Sequence, residues 1–204
     1  MARYTGPKAR VSRRLGTNIF GTKGETVALE KRPYPPGEHG RTRRRGNPSE
    51  YLLQMQEKQK ARFTYGLSEK QFRNLYEEAN RREGVTGENM LRFLELRLDN
   101  VVYRLGFAPT RRFARQLVSH GHFTVNGTKV TIPSLEVRVG DVIAVREGSR
   151  KSTVFADFAK KVENHAWPNW LKLTPEALSA EVKDTPKNEE QFLQLGTVLE
   201  FYSR

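Results

Sequence analysis

Between Leu94 and Glu147 the hydrophobic period of the chain changes once, from helical to alternating, and few folds accommodate that change in so short a stretch. Leu94, Leu98, Val101, Val102 and Leu105 fall at helical spacing and predict one apolar stripe, flanked by Arg97 and Arg104 and ended by Gly106. Thr110 is placed to cap a second helix, because its hydroxyl can accept from an orphan backbone N–H. On that helix Phe113, Ala114, Leu117 and Val118 share one face, Arg111, Arg112, Arg115 and Ser119 the opposite one, and Gly121 closes it. Beyond Gly121, Phe123-Thr-Val125 and Val130-Thr-Ile132 alternate, and the Asn126-Gly127 pair between them tolerates the positive φ of a tight hairpin. Val137, Val139, Val142, Ile143 and Val145 supply further strands around a Gly140-Asp141 turn. Two short helices, one strongly basic, on a small antiparallel sheet make this an α+β unit.

Three arginines on one helix face ordinarily form a solvated surface. Here that face carries no acidic residue of its own, and the chain around it is basic. The 204 residues have a formal net charge of +13 and a pI near 10.1, with 36% hydrophobic residues. Mean hydropathy is −0.71. Such a charge calls for a polyanionic partner, which turns the arginine face into a phosphate-binding one. A membrane is the weaker candidate, since no run of about eighteen apolar residues and no signal-peptide core is present. With no cysteine there are no disulfides and no thiolate metal site, and the compartment reads as cytoplasmic.

The charge is uneven. Residues 1–62 hold fifteen Lys and Arg against five acids, whereas residues 163–204 hold four against seven. From Met1 to Gly46 there is little apolar periodicity. Arg3, Lys8, Arg10, Arg13 and Arg14 come first, then Lys31 and Arg32, then Arg41, Arg43, Arg44 and Arg45. Gly6-Pro7, Gly21, Gly24 and Pro35-Pro36-Gly37 exclude a continuous helix. Two readings fit this extension: a disordered basic tail, or a segment that orders when RNA phosphates supply the anions it lacks.

Helices follow. Asn47-Pro48-Ser49-Glu50 is a start signal with Asn47 as N-cap, opening a helix with Tyr51, Leu52 and Met55 apolar and Lys58, Lys60 and Arg62 available to RNA. Ser68-Glu-Lys-Gln71 is a capping box for a helix with Phe72, Leu75, Tyr76 and Ala79 inward. Arg81 and Arg82 suit the negative end of its dipole. Gly84 and Gly87 break the chain before the next helix. In the tail, Ala166-Trp-Pro-Asn-Trp-Leu171 predicts a segment packed on the preceding module. Asn188-Glu-Glu-Gln191 predicts a last short helix with Phe192, Leu195, Val198 and Leu199, and a strand remains possible after Gly196-Thr197.

Leu-Arg-Leu-Asp-Asn-Val-Val-Tyr-Arg104, Thr110-Arg-Arg-Phe-Ala-Arg-Gln-Leu-Val118, His120-Gly-His122 and Val125-Asn-Gly127 resemble the small RNA-binding module named for ribosomal protein S-four. That module also occurs in pseudouridine synthases, tyrosyl-tRNA synthetases and a heat-shock RNA-binding protein. Arg32-Pro-Tyr-Pro-Pro-Gly-Glu-His-Gly40, Pro48-Ser-Glu-Tyr51, Glu57-Lys-Gln-Lys-Ala-Arg62, Tyr65-Gly-Leu-Ser-Glu-Lys-Gln-Phe72 and Glu200-Phe-Tyr-Ser-Arg204 are similar to the ribosomal protein S-four family itself. The likeness runs from about Lys31 to the end.

The resemblance implies a structural constituent of the small ribosomal subunit, a primary 16S rRNA binder that nucleates assembly of the subunit body. It further implies neighbours S-five and S-twelve, a place where mRNA enters, and a part in translational accuracy. The domains expected are a basic extension over 1–46, a helical domain over 47–90 completed by about 186–204, the module over 91–165 inserted between them, and a connecting segment over 166–185 packed on it. Gln116, His120, His122 and Asn126 join the arginines as the module's RNA-contacting residues. A free RNA-binding regulator or stress factor built on the same module is the alternative.

Many members of that family carry an N-terminal cysteine cluster that can hold zinc. Here the region reads Arg10-Val-Ser-Arg-Arg-Leu-Gly-Thr-Asn-Ile-Phe-Gly21, so no thiolate-bound metal organises it, and no cofactor is expected. Arg97-Leu98-Asp99 echoes the catalytic triplet of pseudouridine synthases, but within an amphipathic helix Asp99 is expected in a local salt bridge or hydrogen bond. The residues after Glu147 leave no room for a catalytic domain, so no enzyme is expected. His120-x-His122 straddles a glycine without nearby acidic or thiol ligands, which favours donors to phosphate, sugar or backbone over a metal pair.

Overall fold

The Asn126-Gly127 pair closes a hairpin with φ of 49° and 81°, both in the left-handed region that its two residue types tolerate. The computed structural model describes residues 4–42, 47–156, 158, 165–186 and 193–203. The chain divides into two compact units, Met1–Met90 with Glu190–Arg204, and Leu91–Glu189. Helices and an antiparallel sheet are combined as the α+β reading expects.

The first unit begins with α1 (Lys8–Leu15) and α2 (Lys23–Lys31), so the extension is not without regular structure. Gly16, at φ 70°, ends α1 in the left-handed conformation, and Val11, Leu15 and Ile19 form a small core with Tyr4, Phe20 and Phe63 packed against it. Val11, Leu15 and Ile19 recur every four residues, a stripe only three residues long that Gly16 interrupts within a strongly basic stretch. A 3-10 turn (Glu38–Gly40) follows.

In α3 (Glu50–Thr64) the cap is Ser49, not Asn47: the Ser49 hydroxyl accepts from the Leu52 amide at 3.3 Å. Its buried positions are Gln54, Lys58, Ala61 and Thr64, while Tyr51 and Leu53 are exposed, so its inward face is largely polar. α4 (Glu69–Arg81) opens on the expected capping box, with the Ser68 hydroxyl accepting from the Gln71 amide and the Gln71 side chain accepting from the Ser68 amide. Phe72 and Ala79 are fully buried. Gly87 does not break the chain but lies in the first turn of α5 (Thr86–Glu95).

The returning C-terminal segment forms a helix, called α10 below (Leu195–Ser203), that continues through Gly196 and Thr197, so no strand forms there. It packs along α3. The Asn188–Gln191 signal lies outside the described residues.

The second unit corrects the expectation of one helix from Leu94 to Leu105. α5 ends at Glu95, and α6 (Leu98–Arg104) starts after a break at Leu96 and Arg97. The break is set by a distant strand-like segment: the Val137 amide donates to Leu96 O (2.9 Å), the Leu98 amide to Leu135 O (2.8 Å), and Arg97 bridges to Glu136. Helical spacing cannot reveal such a competitor. α7 (Arg111–Ser119) is capped by Thr110, whose hydroxyl accepts from the Phe113 amide.

Five antiparallel strands follow in the order β2-β1-β3-β5-β4. They are β1 (Phe123–Val125), β2 (Thr128–Val130), β3 (Val142–Val145), β4 (Leu171–Thr174) and β5 (Ser179–Val182). The two-residue turn pairs Val125 with Thr128, so β2 begins earlier than the expected Val130–Ile132 and leaves Ile132 exposed. Val137 is buried outside any strand, and Val139 is exposed. Residues 166–185, expected as a connecting segment packed on the module, contain β4 and β5, with Ile143 of β3 paired to Ala180 of β5.

The core holds Leu98, Val101, Val102 and Leu105 from α6 and Ala114, Leu117 and Val118 from α7. Phe123, Ile143 and Val145 join them from the sheet. The short helices α8 (Glu147–Arg150) and α9 (Thr153–Ala156) follow β3.

Candidate nucleic-acid interface

A buried carboxylate shapes the first basic surface. Glu25 is 1% exposed, and its Oε1 accepts from the Ser12 hydroxyl (2.5 Å) and the Phe20 amide (3.4 Å). Its Oε2 accepts from the Thr22 hydroxyl (2.6 Å) and the Thr22 amide (3.1 Å). Thr22 and Glu25 form the capping box of α2, while Ser12 belongs to α1, so one side chain ties the two helices together. A zinc cluster finds no cysteine ligand in this chain, and the Ser12–Glu25 knot performs the organising work at this place. Among the described residues no group of three or more His, Asp or Glu is arranged to hold a metal ion.

With α1 and α2 tied in this way, a cleft of about 510 Å³ opens along them, lined by Arg10, Arg13, Lys31 and Arg32 together with apolar residues. Four of the expected RNA-contacting cations are thereby brought together. Arg13 is committed to the wall: its Nε donates to the carbonyls of Arg32 and Tyr34 (both 3.1 Å) and its Nη2 to Pro35 O (3.3 Å). The side chains of Arg10, Lys31 and Arg32 are solvent-exposed and have no acidic partner among the described residues.

Arg41 donates to the Tyr34 hydroxyl at 2.9 Å, and the guanidiniums of Arg13 and Arg41 lie 5.0 and 5.2 Å from the Tyr34 ring centre. The Arg41 hydrogen bond is the main reason the Tyr34 hydroxyl titrates below the ordinary tyrosine value, and nearby arginine charge adds to it. Arg14 is exposed and Lys8 half-buried. Arg3, Arg43, Arg44 and Arg45 lie outside the described residues.

Three further expected contacts, Lys58, Lys60 and Arg62, have partners within the protein. Lys58 is buried, with its Nζ 2.7 Å from Glu69 Oε1 and 4.3 Å from the Phe201 ring centre on α10. Lys60 pairs with Glu57 one helical turn away. Arg62 donates to Gln59 Oε1, lies 3.6 Å from Glu69, and covers the Phe63 ring. Lys58 and Arg62 tie α3 to Glu69 of α4, and Lys58 also to the Phe201 ring of α10, whereas Lys60 pairs within its own helix. Sequence spacing placed them on a basic helix but did not show that Glu69 of α4 faces Lys58 and Arg62. Glu69 is pushed up by desolvation, yet hydrogen bonds from Lys58 and Tyr202 outweigh that and hold its carboxyl below the ordinary value.

The α7 face is likewise less open than its spacing implies. Arg115 does have an acidic neighbour, Asp99 at 3.9 Å, and is mostly buried. Asp99 is held foremost by Arg97, through Nε to Oδ1 (3.1 Å) and Nη2 to Oδ2 (3.0 Å), so the expected structural role for Asp99 holds. Arg111 donates to Asn100 Oδ1 (2.7 Å) and lies over the Tyr103 ring. Arg112 is half-buried; Gln116 and His120 are exposed. Asn126 is consumed by its own turn: its side chain donates to Asp141 Oδ1 (2.8 Å) and accepts from the Val142 amide (2.9 Å).

His120 and His122 stand 6.2 Å apart, ring centre to ring centre, and His122 Nδ1 is 3.0 Å from the Ser149 hydroxyl. Burial lowers the His122 pKa from its ordinary value, and the charges of His120 and Arg146 lower it further. Arg146 thus belongs to this cluster, its amide donating to His122 O at 2.9 Å. Lys129 lies across Gly121, where an added Cβ would come within 2.5 Å of its Cε. Neither cation was singled out from sequence. The hairpin register that pairs Lys129 with Thr124 was the available signal for the first. Arg146 is joined to the cluster only through the sheet.

Residues 3–95 match the ribosomal protein S4/S9 N-terminal domain, and residues 96–143 match the S4 domain. Over the full length of both chains, the sequence is 53% identical to small ribosomal subunit protein uS4 of Corynebacterium kroppenstedtii. It is 54% identical to the uS4 proteins of Mycobacterium avium and Corynebacterium glutamicum, again over the whole of each chain. With more than half of all positions shared end to end, and two successive family domains in order, this chain belongs to the ribosomal protein S4 family.

Proposed function

We propose that the chain is a structural, non-catalytic protein of the small ribosomal subunit that binds 16S rRNA and acts in the cytoplasm as part of the ribosome. The observation that carries this reading is the cleft along α1 and α2, where Arg10, Lys31 and Arg32 converge without an acidic partner among the described residues. Cations gathered at that density repel one another, and phosphates relieve the repulsion while releasing counterions. The His120–His122–Arg146–Lys129 cluster offers a second phosphate-binding surface on the other unit, next to the exposed end of α7.

In this role the protein is a primary binder that nucleates assembly of the subunit body. It neighbours S-five and S-twelve near the place where mRNA enters, and it contributes to translational accuracy. The S-four-type module serves as an insertion, its flanking segments both belonging to the first unit.

Two measurements test the proposal. In cell extracts the protein should sediment stoichiometrically with small subunits; recovery only in substoichiometric amounts or on other particles would favour a free regulator. In a salt titration of 16S rRNA binding, the triple variant Arg10→Gln, Lys31→Gln, Arg32→Gln should lower the slope of log affinity against log salt by about two units, from roughly 0.7–0.9 per phosphate. An unchanged slope with an intact fold would remove this cleft from the interface.

A further inference from the structure

The cleft along α1 and α2 has a floor that phosphate binding does not require. Gly24, Val27, Ala28 and Pro36 line it alongside the cations, and Val27 is 45% exposed although apolar. A Cβ built on Gly24 meets nothing within 4 Å, so the floor is open rather than filled by neighbouring side chains. The wall is preset, because Arg13 pins the carbonyls of Arg32, Tyr34 and Pro35. A volume near 510 Å³ falls in the range of about 300–1,000 Å³ typical of small-ligand clefts, and it exceeds what a phosphate alone would use.

An RNA duplex presents its phosphates outward and keeps its bases stacked, and it would leave the apolar floor uncovered. An unpaired nucleotide has both parts the cleft can match: a flat, largely apolar base face and phosphates on either side. Deepening the RNA-binding reading above, on which this rests, we infer that the cleft receives one unstacked nucleotide of single-stranded or bulged RNA. Its base lies on the Val27–Ala28–Pro36 floor, and its flanking phosphates meet Arg10, Lys31 and Arg32. Charge complementarity favours this occupant, since no acidic residue lines the cleft.

The test uses the full-length protein and a single-stranded RNA hexanucleotide with a central 2-aminopurine, whose emission rises when the base leaves its stacked neighbours. Wild type should bind and raise the emission. Gly24→Leu fills the floor without a clash at its Cβ and leaves every cation in place. It should weaken binding about fivefold and abolish the emission change at an unaltered salt slope. Lys31→Gln should lower the salt slope by about 0.7 and keep the emission change. Val27→Asn, at an exposed site on the same floor, repeats the Gly24→Leu readout should the leucine variant fail to fold, with circular dichroism and thermal melts as controls.

If the floor variants bind and emit like wild type while Lys31→Gln is weakened, base insertion is overturned and phosphate binding stands. If all three variants behave like wild type, both readings of this cleft fall. Displacement of the hexanucleotide by a hexaglutamate peptide at equal charge concentration would reassign the cleft to an acidic protein segment.

Discussion

Removing the Glu25 carboxylate should open the N-terminal helix pair without unfolding the remainder of its unit. In Glu25→Ala the α2 capping box is lost, which costs about 1 kcal/mol. The Ser12 hydroxyl, fully buried, then loses its charged acceptor, and the Phe20 amide loses a weaker one, together about 2 kcal/mol more. A total near 3 kcal/mol shifts the local opening equilibrium by roughly 10²-fold. Glu25→Gln keeps the shape and one acceptor oxygen but not the charge, and should shift it by about half that free energy. Native-state hydrogen exchange reads the effect directly at the Phe20 and Thr22 amides. The amides around Phe72 and Ala79, which belong to the fully buried α4 core, should keep their protection. Wild-type exchange at Phe20 and Thr22 in Glu25→Ala would refute the reasoning, as would an equal loss of protection at Phe72 and Ala79.

The remaining predictions follow from charges placed by tertiary contacts. Arg115→Gln should lower stability by about 1 kcal/mol, because the buried Asp99 loses its second cation while keeping Arg97; a denaturant titration that leaves stability unchanged would return Arg115 to the solvent-facing set. Glu69 is about half exposed, so solvent screens its pairing with Lys58, and only the direction is stated. Its carboxyl is held below the ordinary value, so its contribution is present above the usual carboxylate range and is lost as the pH falls through the lower folded value. The gap in melting temperature between wild type and Glu69→Gln should accordingly close in acid; a constant gap would contradict this. For His122 the folded state favours the neutral ring, so that contribution is complete above the ordinary histidine value and declines as the pH falls below it. Wild type should lose more melting temperature between about pH 7 and pH 5 than His122→Asn; parallel losses would contradict it.

Local chemistry made much of this protein legible from sequence. The Asn126-Gly127 hairpin, the Ser68–Gln71 capping box and the Thr110 cap each depend on residues close in the chain, so reading neighbours sufficed. The basic character of the N-terminal third needed only a count, and Arg10, Lys31 and Arg32 do reach one cleft. Tertiary structure decided the rest, because a charge or a backbone group chooses its partner across space. Lys58, Lys60 and Arg62 read as free cations until α4, α10 and their own helix supplied acids and aromatic rings. Helical periodicity ran through Leu96 and Arg97, yet the backbone there pairs with Leu135 to Val137 and the helix breaks. Within residues 166–185, Leu171-Lys-Leu-Thr174 and Ala180-Glu-Val182 do alternate, but over runs too short to stand out, and they became strands because the free edge of β3 offered hydrogen bonds to them. Glu25 shows the same limit most plainly: in sequence it is one acid among basic residues, and only the return of α2 onto α1 makes it the centre that shapes the cleft.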